Sequence, residues 1–416
     1  MNKPGLCSME ECTGCGACKN ICPVNAISMQ YDEYGFYKPA VDMEKCIKCG
    51  KCEKTCPKLE AGGLKKEIKK SYAAINKNGF LINESASGGI YPLLAGTFLK
   101  KGGKVFAAVY QKNFKVGIQE IKNFEMIKAG CGSKYVQSQT GDSYSKVRTL
   151  LEQGEQVLYF ALPCQIAGLY KFLGRNYEGL YTVEMVCHGV PAEKLFLEYI
   201  SYMEDILGSR IESIKHRYKK DRFEKIVAIT LCIETVDGKK IIKDSADDPY
   251  LLAFRTGISI GSHCTSCSFS CIKRTADITI GDFLCLGTIK PFHEDISKGV
   301  STVLANSDKG EKMLDELGEN IFLEERELKE CMVFNTNLWK RTEKHPLYDK
   351  FYKEVYREDF NVVRKKYMDH NRKNKIAKVV KRGARTLFGT NGVCSYMKYV
   401  AEKKGTMEEI DKVLSE

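Results

Sequence analysis

Two copies of one cysteine pattern, C-x2-C-x2-C-x3-C-P, lie near the start of the chain. Cys12, Cys15, Cys18 and Cys22 precede Pro23, and Cys46, Cys49, Cys52 and Cys56 precede Pro57. Three thiolates so close together hold three irons of one cubane only if the backbone turns tightly. Gly14 and Gly16 in the first run and Gly50 in the second allow that turn. Zinc is the competing reading, but its sites use four ligands in paired C-x2-C knuckles, not long runs with a trailing Cys-Pro. Disulfides are disfavoured as well: 19 cysteines in a chain without a secretory leader pattern point to metal ligation in a reducing compartment. Cys7 stands outside both runs and reads as a spare thiol.

Over roughly residues 1–60 the paired runs resemble the bacterial two-cluster ferredoxins, in which the fourth cysteine of each run ligates the other cluster. The resemblance implies one 4Fe-4S cluster on Cys12, Cys15, Cys18 and Cys56, and a second on Cys46, Cys49, Cys52 and Cys22.

At 416 residues the chain is too long for such a module alone, and two or three domains are expected. Its 43% apolar content suffices for a substantial core, yet no run of about 18 apolar residues suggests a membrane span. A cytoplasmic protein is expected. The net charge of +12 is concentrated: residues 361–404 hold 13 Lys and Arg against Asp369 and Glu402, a local balance of +11. The remainder is nearly neutral, which argues against a uniformly basic nucleic-acid surface.

Ala61-Gly62-Gly63-Leu64, followed by Lys65, Lys66, Lys69 and Lys70, reads as a linker over 61–70. Beyond it Tyr72–Ile75 has strand character, Gly88 to Lys101 is helical, and Val105–Val109 is a second strand. Val157–Leu162, the helix Ile166–Leu173 and the strand Tyr181–Val186 form a βαβ unit, which requires parallel strands in a buried sheet. Residues 192–207 are helical. Ile226–Ile233 and Lys240–Ile242 read as an antiparallel pair around Asp237-Gly238, and Ala276–Ile280 as a last strand before Gly281-Asp282-Phe283. The expected fold is a multidomain α+β and α/β protein. A small two-cluster ferredoxin fold (1–60) precedes a mixed α/β domain in two parts (71–150 and 151–325) and a helical, basic tail (326–416).

Cys164 and Cys187 follow neighbouring strands of the βαβ unit and so share the rim where open α/β sheets bind ligands. With Cys264 and Cys267 they make a candidate third four-thiolate site, for which Cys271 competes with Cys164 as fourth ligand. Buried packing is the alternative for the first two, and a zinc knuckle for the others. Cys131, Cys232, Cys285, Cys331 and Cys394 read as packing. The loop Ser85-Ala86-Ser87-Gly88-Gly89 lies between a strand and a helix, a suitable place for an anion such as a pyrophosphate. No G-x-G-x-x-G follows a strand.

Five segments in order carry a further resemblance. They are Ser87-Gly88-Gly89, Gly132–Ser138, Pro163–Leu169, Cys187-His188-Gly189-Val190-Pro191 and Ala276–Phe283. Together they resemble the beta-subunit family of the coenzyme F420 (deazaflavin) hydrogenases and dehydrogenases over roughly residues 71–325. The resemblance implies a flavin-binding domain holding FAD beside a third 4Fe-4S cluster, with Ser87, Gly88, Gly89, Ser133, Lys134, Tyr135, Val136 and Gln137 at the cofactor. The chain departs from the family pattern at Ala161-Leu162, where many members have Gly-Thr, and at Leu284-Cys285, where bacterial members usually have Trp-Gly.

The implied function is an iron–sulfur flavoprotein oxidoreductase passing electrons between a ferredoxin or similar redox protein and a small substrate. Its alternative is a non-catalytic subunit feeding a partner enzyme. His188 is the candidate proton donor at the rim, weighed against an ordinary satisfied histidine. Asp282 reads as a cap or a flavin contact. Val363, Tyr367, Ile376, Val380 and Leu387 give the basic tail an apolar side, suited to a solvated helix or to docking on an anionic surface.

Overall fold

The structure, a computed structural model, describes residues 5–60, 63–219, 230–297, 299–369 and 398–415. In the N-terminal module, helices α1 (Ala17–Ile21) and α2 (Lys51–Lys54) each start directly after a left-handed glycine, Gly16 at φ 75° and Gly50 at φ 70°. Each Cys run thus bends into a short helix after its second cysteine. Strands β1 (Ile27–Tyr31) and β2 (Tyr37–Val41) pair antiparallel between the two runs.

The chain then continues through β3 (Lys70–Asn76), α3 (Ile90–Lys100), β4 (Lys104–Tyr110), β5 (Val116–Ile121), α4 (Phe124–Gly130) and α5 (Ser143–Glu152). Next come β6 (Val157–Ala161), α6 (Pro163–Leu173), β7 (Leu180–Met185), α7 (Glu193–Leu207), β8 (Ile211–Tyr218), β9 (Thr230–Thr235) and β10 (Lys240–Asp244). They are followed by α8 (Pro249–Thr256), α9 (Ser262–Thr265), β11 (Ile278–Asp282), β12 (Ser301–Ala305), α10 (Asp308–Asp315) and β13 (Ile321–Glu325).

One eight-stranded sheet has the order β13-β3-β12-β11-β7-β6-β4-β5. Its centre, β11-β7-β6-β4, is parallel, and both flanks are antiparallel. The continuous apolar run of β6 is buried at every position, as a central parallel strand between covered faces requires. The β6–α6–β7 unit is present as expected. A separate three-stranded sheet, β10-β9-β8, packs with α7 and the helix Tyr348–Glu354 around the aromatic core of Phe196, Tyr199, Tyr250 and Phe351.

Several expectations change. The last parallel strand runs Ile278–Asp282, so Asp282 ends a strand and caps no helix. The helix expected from Gly88 begins at Ile90. Gly88 lies where a Cβ would come within 2.5 Å of the Ala74 carbonyl and 2.9 Å of the Ser301 amide, so the loop crosses the sheet too closely for any side chain. The expected linker is tied to the sheet at Lys66. That residue exchanges backbone hydrogen bonds with Arg274 and pairs its ammonium with Asp277 at 2.8 Å. Strands β5, β8, β12 and β13 were not anticipated; β8 in particular lacks a clean apolar alternation, because its charged side chains turn inward onto other loops. The pairing of β9 with β10 stands, while residues 226–229 of the expected strand lie outside the described residues.

The C-terminal region is helical where described, but it is not peripheral. Val363 and Met368 are buried against the aromatic core, with Tyr367 packed on it, and Ala401 and Ile410 are buried against the other edge of the sheet. Ile376, Val380, Leu387 and Cys394 lie outside the described residues. Among the described residues no helix is long and apolar enough to cross a membrane.

Ending the chain after residue 360 removes four buried side chains, each worth about 1.5–3 kcal/mol for the larger ones. The truncated protein is expected to melt roughly 10 °C or more below the full chain in circular dichroism; an unchanged midpoint would show these contacts to be idle.

Candidate functional site

Twelve cysteines gather in three sets of four, each lining its own cavity. Cys12, Cys15 and Cys18 share the first with Cys56, the trailing cysteine of the other run. Cys46, Cys49 and Cys52 share the second with Cys22. Each run therefore sends its last thiol across the module, because α1 and α2 pack against each other. Cys7 also lines the first cavity, with its Sγ 3.7 Å from that of Cys56.

The third set lies on the main sheet. Cys164 sits in the first turn of α6, Cys187 just past β7, and Cys264 and Cys267 in and after α9; all four line one cavity. Cys164 and Cys187 meet because β6 and β7 are adjacent and parallel, so both chains leave the sheet at one rim. Cys271 is not in this set: its thiol donates to the Ser268 and Lys273 carbonyls. The loop carrying Cys264 and Cys267 is held by Arg274, fully buried, which donates to Glu184 on β7 at 2.6 Å and to the carbonyls of Phe269 and Cys271. Glu184 also accepts from the amides of Thr275 and Ala276 and from the Thr279 hydroxyl. A buried pair this fully bonded fixes the loop's position, and losing either partner strands a charge.

Donor chemistry suits an iron–sulfur centre in each cavity. Burial pushes Cys15 and Cys187 up to about 12 and raises Cys164 and Cys264 as well. Thiols so desolvated become the thiolates that bind metal only beside a cationic centre that balances them. Among the described residues no three His, Cys, Asp or Glu side chains close to the dimensions of a single ion, so the thiols surround a volume instead of meeting at a point.

The first and third cavities are neighbours. Thr13 lines both, and a Cβ at Gly168 on α6 would lie 3.0 Å from Cys15 Sγ. The N-terminal module is fastened here. Gln137 accepts from the Tyr37 amide at 2.7 Å, Thr140 donates to the Cys15 carbonyl at 3.0 Å, and Asn20 donates to the Gly141 carbonyl at 2.9 Å. Lys38, 4% exposed, donates to the Cys12 carbonyl and lies 3.2 Å from His263 Nδ1, next to Cys264. His188 borders the third cavity with its Nδ1 held at 2.9 Å by Asn337 Oδ1 and its ring edge-on to Phe254.

The residues expected at a flavin divide. Gln137 serves the seam just described, and Val136 is buried in the aromatic core. Ser133 follows the left-handed Gly132. Lys134 donates to the carbonyls of Gly130, Cys131 and Gly132, and burial pulls its ammonium down to about 8. Tyr135 packs on Phe254 and accepts from Arg217 through its hydroxyl. In the loop, Ser87 Oγ donates to the Val300 carbonyl, and the Gly88 amide donates to Ser301 Oγ at 2.9 Å, so that amide is already engaged; Gly89, at φ 78°, leads into α3.

Three cations went unnoticed in the sequence. Lys215, Arg217 and Lys219 occupy alternate positions of β8 and its extension, hence one face. Lys215 pairs with Glu84; Arg217 pairs with Asp282 at 2.7 Å and donates to the Ala86 carbonyl; Lys219 donates to the carbonyls of Ile82 and Ser87. This face covers the 82–87 loop, and burial lowers Lys219 to about 8. Recognising a strand at 211–218 would have brought the three out, since every second residue from 215 is basic. Cys232, Cys285 and Cys331 are buried as packing residues and Cys131 is half-buried.

On the opposite face of β8, His216 is 1% exposed among Tyr135, Phe196 and Tyr250, and desolvation depresses it from 6.5 to about 4. The unfolded chain takes up that proton at higher pH than the folded one. Stability therefore falls as pH drops through the window from 6.5 to about 4, at up to about 1.4 kcal/mol per pH unit. Urea titrations between pH 7 and pH 4.5 are expected to show this slope, reduced in His216→Phe.

Two parts of the chain match known protein families. Residues 154–330 match the family model for the C terminus of the coenzyme F420 hydrogenase/dehydrogenase beta subunit. Residues 11–59 match the 4Fe-4S dicluster domain. No curated protein matches the chain significantly. Among solved structures, a chain of the F420-reducing NiFe hydrogenase complex from Methanosarcina barkeri aligns at 18% identity with a TM-score of 0.42, over 79% of this chain and 96% of that one.

Proposed function

We propose that this chain, which joins a 4Fe-4S dicluster domain to the C-terminal domain of the coenzyme F420 hydrogenase/dehydrogenase beta subunits, is an iron–sulfur flavoprotein oxidoreductase. It passes electrons between a redox protein at its N-terminal module and FAD on the main sheet, and from there to a small acceptor. One observation carries this reading: three four-cysteine cavities follow one another, the first and third sharing Thr13 as a wall. When bound, 4Fe-4S clusters carry one electron each and a flavin carries two.

Exposure and charge support an order. Cys49 is exposed, and Ile47, 62% exposed, lies beside it with Lys48 and Lys51 on the same cavity. This outermost set is the port, and its basic rim suits an acidic carrier such as a ferredoxin, an attraction that salt screens. The Cys12 set comes next and the half-buried Cys164 set, on the main sheet, last. Lys38 supports anionic centres on both sides of the seam: it is a nearly buried ammonium, and among the described residues no carboxylate forms an ion pair with it. Burial lowers its pKa, and an anionic cluster near Cys12 restores the charged form.

At the flavin end, the Ser87-Gly88-Gly89 loop, Ser133, Lys134, Tyr135 and the basic face of β8 offer the charge that a dinucleotide's pyrophosphate needs. Lys219 is the member we assign to that anion. His188, oriented by Asn337, keeps Nε2 as the nitrogen able to move a proton at the rim of the third cavity.

Anaerobic purification is expected to yield about 12 irons and one FAD per chain. Cys164→Ala removes about four irons, whereas Cys271→Ala removes none. Lys219→Met lowers FAD occupancy at least tenfold with iron unchanged. Equal iron in the two cysteine variants would discard the third cluster, and protein that binds no flavin on reconstitution would discard the flavoprotein reading. Turnover by the isolated chain with artificial donors separates an enzyme from a subunit that only relays electrons.

A further inference from the structure

The first cavity has five thiols for four irons. Cys7 precedes both Cys runs, yet it lines the same cavity as Cys12, Cys15, Cys18 and Cys56. Its sulfur stands 3.7 Å from Cys56 Sγ, and its chain neighbour Ser8 accepts the Cys12 amide at 2.9 Å. The segment is not there by default. Gly5 donates its amide to Glu53 Oε1 at 2.7 Å, on the helix that leads to Cys56, and a turn at Ser8 accepts the amides of Glu11 and Cys12. These bonds anchor the segment on both sides of Cys7, holding its thiol against two of the four ligand positions. Cys7 is only half-buried, so a reagent reaches it.

We propose that Cys7 is a reserve ligand of the first cluster, able to replace Cys56 or Cys12 but not Cys15 or Cys18. The exchange balances without an oxidant. The Fe–S bond to Cys56 breaks and one to Cys7 forms. The proton of the Cys7 thiol passes to the departing Cys56 sulfur, directly across their contact, so iron oxidation states and net charge are unchanged. While Cys56 is bound, the Cys7 S–H donates to its sulfur; when Cys56 is displaced and takes up that proton, Cys7 closes the site before an iron is lost. The selectivity follows from reach: the Cys7 sulfur lies 3.7 Å from Cys56 Sγ, and the backbone of Cys12 is bonded to Ser8, the residue next to Cys7.

The inference rests on the first cavity holding a cluster, and the experiment separates the two. The full chain is purified anaerobically, with iron and sulfide quantified and the reduced protein examined by electron paramagnetic resonance. Wild type lacking iron in this module would sink the cluster reading itself. Given a loaded wild type, Cys7→Ala alone retains full iron. Cys56→Ala and Cys12→Ala each keep a four-iron first cluster with an altered signal. Adding Cys7→Ala to either gives a three-iron or empty site, with the second cluster's signal intact as evidence of folding. Cys15→Ala loses the cluster whether or not Cys7 is present. Residue-resolved alkylation of loaded wild type labels Cys7 and spares Cys56. The proposal fails if Cys56→Ala and Cys12→Ala lose iron as fully as their doubles with Cys7→Ala. It also fails if Cys7→Ala alone loses the cluster, or if Cys7 is shielded and Cys56 is labelled.

Discussion

Helix α6 has no side chain where it meets the sulfur of Cys15, and much of the architecture depends on that contact. A Cβ at Gly168 would lie 3.0 Å from Cys15 Sγ, closer than such atoms pack, and also 2.9 Å from the Tyr144 hydroxyl. The same helix carries Cys164 in its first turn, and its start is fixed by β6 and by Gln165, whose side chain accepts from the Leu162 amide and donates to the Ser138 carbonyl. Because Gly168 and Cys164 lie on one helix, seating the first cysteine loop on Gly168 also sets its distance from the third cysteine set. A larger residue there would move the whole N-terminal module, since Gln137, Thr140 and Asn20 hold it at the same seam.

Charge around the third cavity and the 82–89 loop follows a consistent rule: the cations are buried or half-buried, and each is satisfied locally. Arg274 is matched by Glu184, and Arg217 by Asp282 with a carbonyl and a tyrosine hydroxyl added. Lys134 and Lys38 instead lean on backbone carbonyls. A carbonyl supplies only a dipole, so these two ammonium groups remain positive sources in a low-dielectric setting, one near the first and third cavities and one near the 82–89 loop. Both positions therefore favour anionic ligands. Ion pairs such as Lys69 with Asp308 or Lys344 with Asp349 lie on the surface and contribute little to this balance.

Local signals read from the chain were reliable where one element determined the answer. The Cys runs, the left-handed glycines before α1 and α2, the apolar β6 and the β6–α6–β7 unit depend on neighbours in sequence. Gly88 was noted for the right segment but for a different cause: its missing side chain makes room for Ala74 and Ser301. Gln137 and Val136 were grouped with Lys134 because all three belong to one segment of the family resemblance, Gly132–Ser138. The segment turns tightly, with the Val136 amide bonded to the Lys134 carbonyl, and the three side chains end in a domain seam, an aromatic core and a loop closure. Strand β8 was hidden because its inward face is basic, a pattern that reads as surface until its carboxylate and carbonyl partners are known.

From sequence alone came the identity of the donors: eight thiols spaced for two cubanes, and two more leaving adjacent parallel strands. Spacing along a chain is covalent geometry, and it transfers to any fold. Which thiols meet across the chain is not covalent. That Cys164 and not Cys271 lines the third cavity follows from where the Arg274–Glu184 pair holds the α9 loop. The approach of Cys7 to Cys56 follows from an amide of residue 5 bonding to Glu53, forty-eight positions away. Those contacts are set by burial and hydrogen-bond satisfaction between segments distant in sequence, which is why only the folded chain reveals them.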